Sequence, residues 1–223
     1  MGESGILPKG RCEYLSQAIF SHGISYLSIG FQEAGMIEDR VRCFGEGDPL
    51  MAAYHDEEWG IPVHDDRHLF ETLILDCFQA GLSWRTILNK RRNFRGAFYH
   101  FNAKKIATFT EEDIERLLSD RGIVRNRLKI EATIQNAGAF LKIQETHGSF
   151  DHFMWQFTDY QTLKGPGAIC WEEVPTSTPE SDAMSKALKK EGFKFVGTTI
   201  CYAFMQAVGM VDDHLVGCFR YRK

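Results

Sequence analysis

The sequence predicts an all-α fold, and three observations carry that expectation. Beyond residue 65, apolar residues recur at helical spacing through most of the chain. Capping residues and glycine stops bracket those stretches. Strand-like alternation is scarce, and no internal repeat is present. Hydrophobic residues make up 43% of the 223 and charged residues 25%. That is the balance of a globular chain large enough for one substantial domain. No run of about 18 apolar residues occurs, so no membrane span is expected. The first 20 residues lack an apolar core with a small-residue cleavage site, so a cytoplasmic location is expected. The six cysteines (12, 43, 77, 170, 201 and 218) are scattered. In a chain without a secretory signal they are expected as thiols. A net charge of −4 argues against indiscriminate nucleic-acid binding but not against a local basic face.

Taken in order, residues 1–40 show scattered Gly and Ser and no sustained period, and Met36 offers an alternative start. They read as an N-terminal extension, flexible or loosely docked, before a single all-α domain over 41–223. Asp65 or Asp66 can cap a helix carrying "LFETLILDCFQAGLSW". Leu69, Leu73, Asp76 and Ala80 share one face of it. An aspartate on an apolar face is unusual, because carboxylates are almost never buried unless paired or used. Gly81 interrupts that helix, and a basic, aromatic stretch follows. "TEEDIERLL" has Thr110 and Asp113 at near capping-box spacing, puts Ile114, Leu117 and Leu118 on one face, and stops at Gly122. Ile130, Ile134, Ala137 and Leu141 mark a long helix. Thr178 as N-cap, Pro179, late lysines and Gly192 delimit the next. "VGTTICYAFMQAVG" is another, ended by Gly209. About eight or more helices are expected.

Three constellations can carry chemistry. "SKALKKEGFKFVGTTICYAFMQ" reads helix, glycine-bounded hairpin, helix. Gly192 and Gly197 permit backbone geometry a Cβ would hinder. The free N–H groups of the second helix suit a phosphate, and Lys186, Lys189, Lys190 and Lys194 add charge. An ordinary hairpin with solvated lysines fits the spacing as well. Two more basic runs, 90–95 and 121–129, extend the nucleic-acid reading. His214 and Cys218 stand four apart, a spacing that can face one ion, and Cys43 and His55 can complete a closed tetrahedral zinc shell. Spacing alone leaves a coincidental His and core Cys open. Tyr54, Trp59 and Trp84 around one acid suit a planar, cationic ligand, and core packing is the alternative.

The segments "AYHDEEWGIPVHDDRHLFETLILDCFQAGLSW", "GIVRNRLKI" and "PTSTPESDAMSKALKKEGFKFVGTTICYAFMQAVGMVDDHLVGC" strongly resemble the DNA-3-methyladenine glycosylase I family of helix-hairpin-helix enzymes. The resemblance runs over about residues 41–218. It implies base excision repair: hydrolysis of the N-glycosidic bond of 3-methyladenine flipped out of alkylated duplex DNA, by a monomer without lyase chemistry. It further implies structural zinc on Cys43, His55, His214 and Cys218, joining the two ends of the domain. The base pocket would be formed by Tyr54, Trp59 and Trp84, with Asp76 bonding the flipped base. Leu82 would approach the gap left in the duplex, and Gly192, Lys194 and Gly197 would hold the backbone.

The sequence departs from the family's pattern at three places. Asp76 stands where the family usually has Glu, Phe44 where a Trp is usual, and Met51 where a Tyr is common. These departures sustain a second reading, a zinc-stabilised DNA-binding or damage-sensing module with weak or no activity. A zinc hydrolase or deaminase is disfavoured, because four protein ligands leave no water on the ion and the His-x-Glu with Pro-Cys-x-x-Cys signature is absent.

Overall fold

The computed structural model describes residues 40–222; the reading of residues 1–39 as an extension lies outside them. Among the described residues there are nine α-helical segments, and the only strands are two of two residues each. Helix α1 spans Pro49–Glu57, α2 Asp66–Gln79, α3 Trp84–Ala97, α4 Ala103–Ile106 and α5 Glu111–Ser119. Helix α6 spans Arg127–His147, α7 Phe150–Trp155, α8 Pro179–Lys190 and α9 Thr198–Ala207. Strand β1 (Leu163–Lys164) pairs in parallel with β2 (Val211–Asp212). Among the described residues, no helix is long and apolar enough to cross a membrane.

The caps sit where side-chain chemistry calls for them. Asp65 accepts from the His68 N–H at the start of α2. Thr110 and Asp113 form the full capping box of α5, and Thr178 caps α8 with Pro179 in its first turn. Gly192 after α8 and Gly209 after α9 take φ of +98° and +72°, conformations that favour glycine. Helix α5 differs from expectation at its end. It stops at Ser119, and Gly122 lies beyond it in a turn where its N–H donates to Asp120 Oδ1 at 2.7 Å. The buried face of α6 is also rotated slightly: Ile130, Thr133, Ala137 and Phe140 are buried, while Ile134 and Leu141 are half-buried.

Helix α2 is the hub. It packs against α3, α6, α7 and α9, and every residue from Leu69 to Phe78 is buried. The expected single apolar face is therefore corrected: with neighbours on all sides, a helix buries all sides. Phe78, Phe94 and Phe98 cluster on it, with Phe78 and Phe94 at 4.8 Å between ring centres. Removing any one of these rings should cost about 3–5 kcal/mol. Asp66, one residue into α2, also caps its neighbour, accepting from the Phe150 and Asp151 N–H groups of α7. Cys43, Cys77, Cys201 and Cys218 are free thiols as expected, whereas Cys170 is disulfide-bonded, against expectation.

Candidate active site

Asp76 faces a cleft of about 210 Å3. Its side chain comes from the third turn of α2 and is only 2% exposed. Its Oδ2 is buried with no hydrogen-bond partner, and burial holds the carboxyl well above the usual carboxylate range. The cleft wall is aromatic: Phe44, Tyr54, Trp59, Trp84 and Trp171 all line it. The sequence-predicted residues Tyr54, Trp59, Trp84 and Asp76 are thus brought together. Tyr54 lies 5.4 Å from Trp84 and 6.3 Å from Phe44 between ring centres. Burial and the nearby Asp76 charge raise the Tyr54 phenol, so it stays neutral. The Trp84 Nε1–H is also buried without a partner. Buried polar groups are nearly always satisfied. An acceptor and a donor left unsatisfied on one cleft are groups that a ligand can complete.

Helix α9 closes the floor with Ala203, Gln206 and Ala207. Gln206 is held in place by Asp213, whose Oδ2 accepts from the Gln206 amide at 2.7 Å and from the Tyr202 hydroxyl at 2.6 Å. Sequence reasoning missed Gln206 and Trp171. The first looks like any polar position of a helix, and the second lies in a stretch without periodicity.

Beside the cleft, Cys43, His55, His214 and Cys218 place their ligand atoms within 4.8 Å of one another. Cys43 Sγ is 3.5 Å from His214 Nδ1, and Cys218 Sγ is 3.3 Å from His55 Nε2 and 3.7 Å from His214 Nδ1. Tetrahedral zinc at bond lengths of about 2.3 Å to sulfur and about 2.0–2.1 Å to nitrogen requires S···N edges of about 3.5 Å. The four residues therefore fit such an ion. Asp56 accepts from His55 Nδ1 at 2.8 Å and is itself gripped by Arg42 at 2.7 Å. That outer pair orients the imidazole so that Nε2 points inward. Hydrogen bonds from Cys43, His214 and His55 pull the Cys218 thiol far below its ordinary range, toward the thiolate that binds metals. The group can hold a metal ion. It joins the start of the described chain to its end and also backs the cleft: Trp59 packs edge-on against His214 at 4.7 Å, and Phe44 against His55 at 5.0 Å.

The hairpin between α8 and α9 meets α2 one residue on from the cleft. Asp76 lines the cleft, while the next residue, Cys77, donates to the Phe195 carbonyl at 3.4 Å. Asn136 of α6 clamps the hairpin from outside: its amide donates to the Lys194 carbonyl at 3.1 Å and its Oδ1 accepts from the Lys194 N–H at 2.7 Å. Gly192 needs its positive φ, but Gly197 does not. Its φ is −65°, and an added Cβ would meet no protein atom. The expectation that the backbone geometry demands glycine at 197 is corrected. The left-handed conformation falls instead on Phe195, at φ +57° and 41% exposed. Gly197 supplies no side-chain cap, so the first N–H groups of α9 stay open to an anion. Lys186, Lys189, Lys190 and Lys194 are exposed around it.

The other two basic runs serve mostly internal ends. Arg91 pairs with Glu58, Arg95 with Glu71, and Arg127 with Glu111, Glu115 and Glu131. Lys129 is buried and donates to the Phe78 and Ala80 carbonyls at 2.8 and 2.6 Å. It thereby ends α2 and anchors the turn that carries Leu82, which is 42% exposed. Gly81 in that turn has φ +84°. A lysine in a charge run gives no sign in the sequence that it will turn inward to cap a neighbouring helix.

Residues 43–221 match the family model described as methyladenine glycosylase. The chain belongs to the methyladenine glycosylase family. It is 54% identical over 174 residues to DNA-3-methyladenine glycosylase 1 of Escherichia coli strain K12, an alignment covering 78% of this chain and 92% of that one. A crystal structure of 3-methyladenine DNA glycosylase I superposes with a TM-score of 0.79 at 53% identity, covering 82% of this chain and all of the other. A Staphylococcus aureus structure, described as the structural basis of 3-methyladenine recognition by 3-methyladenine DNA glycosylase I, superposes at 0.76 with 38% identity over 79% of this chain and 93% of its own. The all-α helix-hairpin-helix fold expected from the sequence is the fold of this family.

Proposed function

We propose that the chain is a DNA-3-methyladenine glycosylase, with residues 41–223 as its catalytic domain, acting on alkylated purines in double-stranded DNA. The observation that carries this reading is the cleft, in which a buried, unpartnered carboxylate faces a wall of aromatic rings. A base joined to its sugar cannot reach such a cleft from the stack, so the nucleotide must be flipped. The hairpin N–H groups and Lys194 hold the backbone, and Leu82 enters the space the base vacates. Alkylation at N3 makes the adenine cationic. The rings stack on it, and Asp76 accepts a hydrogen bond from its N6 amino group while offsetting its charge.

Water attacks C1′ of the deoxyribose, and the C1′–N9 bond breaks with its electron pair passing to the base. Free 3-methyladenine leaves neutral, the sugar keeps the hydroxyl, and one proton goes to solvent. The leaving group needs no proton from the protein, and Asp213 positions Tyr202 and Gln206 through its Oδ2. Cys43, His55, His214 and Cys218 would hold zinc with four protein atoms and leave no place for a water, so its contribution would be structural. The His55 and His214 rings it would fix pack against Phe44 and Trp59 at the cleft.

The test is chromatography of bases released from methylated duplex DNA. Release of 3-methyladenine, leaving abasic sites and no borohydride-trapped adduct, is the expected result. Tight duplex binding without base release would instead make the chain a damage-sensing module.

A further inference from the structure

Of the five rings on the cleft, two are spent on packing. Trp59 is 7% exposed and Tyr54 6%. Trp59 sits among Phe44 at 5.3 Å, His214 at 4.7 Å and Trp171 at 5.9 Å. Tyr54 lies against Trp84 and Phe44. Phe44, Trp84 and Trp171 are half-buried and line the same cleft. These are the rings with surface left to offer a ligand. Phe44 is the smallest of the three.

Trp171 begins a single 3-10 turn, Trp171–Glu173, after a stretch with no regular structure beyond β1. A side chain so placed would ordinarily be free to swing. Two ties prevent it. Its Nε1–H donates to the Cys43 carbonyl at 3.0 Å, and the turn is closed by Glu173 accepting from the Ile169 N–H at 2.7 Å. With its one polar atom satisfied, the indole offers the cleft only apolar ring atoms. A ring held before the ligand arrives loses little entropy on binding. At about 210 Å3 the cleft is smaller than sites for drug-sized ligands, about 300–1,000 Å3, and on the scale of one nucleobase.

We infer that Trp171 is a specificity-determining residue of this site. Its tethered indole stacks on the extruded base and, with Asp76, selects the cationic alkylated purine over neutral adenine. The inference rests on the glycosylase reading and deepens it. Indole is the strongest cation–π partner among the aromatic side chains. Its loss should therefore weaken a cation more than the neutral ring of the same shape.

The probes are 3,9-dimethyladeninium, a permanent cation, and neutral 9-methyladenine. Calorimetry on the full chain would compare wild type with Trp171→Ala, Trp171→Phe and Trp171→Leu. Trp171→Ala should bind the cation roughly 5- to 150-fold more weakly, the range for losing one stacked base, with a smaller loss for the neutral ring. Trp171→Phe should keep most of the affinity, and affinity for undamaged duplex should not change. Cation affinity within twofold of wild type, or equal losses for both probes, would overturn the inference. If Trp171→Ala loses its metal or unfolds, the comparison passes to Phe against Leu, where equal binding of the cation is the refuting result. A wild type that binds the cation selectively yet releases no base from methylated DNA would sink the glycosylase reading and leave the role of Trp171 in selection standing.

Discussion

Replacing Asp76 with Asn separates the site from the fold. The two side chains are nearly the same size, and the amide oxygen can still accept from an N6 amino group, so what is removed is the charge. A carboxylate about 4 Å from a cationic purine, at an effective dielectric near 20, gains about 4 kcal/mol. That corresponds to roughly a thousandfold in kcat/KM for 3-methyladenine excision, read in single turnovers below saturation. The free protein should respond oppositely. Asp76 is buried without a partner and its carboxyl lies well above the usual range. The folded state thus holds its proton to higher pH than the unfolded chain does. Between those two pKa values the folded state binds more protons, so stability falls as pH rises through that window. Asn has nothing to ionise. Asp76→Asn should therefore be more stable than wild type at neutral pH, by about 1–3 kcal/mol, and should lack the decline. Asp76 should also set the acid limb of kcat/KM, displaced upward from the ordinary carboxylate range and missing in the variant. The assays are single-turnover excision on methylated duplex and urea unfolding at several pH values. Excision within threefold of wild type removes Asp76 from the chemistry. A loss of excision accompanied by lower stability would mean that the substitution damaged the fold and that Asp76 is structural.

Three further perturbations bear on other parts of the molecule. Cys218→Ser breaks the Cys–His cluster that joins residue 43 to residue 218, and should lower Tm on the order of 10 °C, with bound zinc falling from one equivalent to a trace; an unchanged melting curve by calorimetry would leave the cluster without a structural role. Asn136→Ala removes both hydrogen bonds to Lys194, about 2 kcal/mol together. It should weaken binding to any duplex, damaged or not, while leaving affinity for the free base intact, which titrations with both ligands would check. Lys129→Met keeps the aliphatic stem and deletes two charge-assisted bonds to the Phe78 and Ala80 carbonyls. Denaturant unfolding should show a loss of about 3 kcal/mol, and excision should fall as the Leu82 turn loosens; a neutral result would mean that water replaces the ammonium.

Local signals made the helices legible. Asp65, Thr110, Thr178, Gly192 and Gly209 each act through atoms within a few residues, so their effect can be read without knowing the fold. The grouping of Cys43 and His55 with His214 and Cys218 was different: spacing allowed it, resemblance implied it, and the fold brings together atoms 163 and 171 residues apart in sequence into a group that can hold a metal ion. Charge was the poorest guide. Of the basic runs, Arg91, Arg95, Arg127 and Lys129 pair with carboxylates and carbonyls of the chain itself, and only their neighbours in space reveal it. Likewise Gly197, although a glycine, meets no steric demand for one, and Phe195 takes the positive φ.

The sequence by itself determined the helical class, the caps, the hairpin and the presence of an acid, Asp76, in an apolar run, because each depends on periodicity or on bonds between near neighbours. Tertiary structure alone decided that α2 is buried on every side, that Trp171 and Gln206 join the cleft, and that Tyr54 and Trp59 mainly support rings more exposed than themselves. Those outcomes depend on which surfaces meet across distant stretches of chain, and neither helical period nor residue type carries that information.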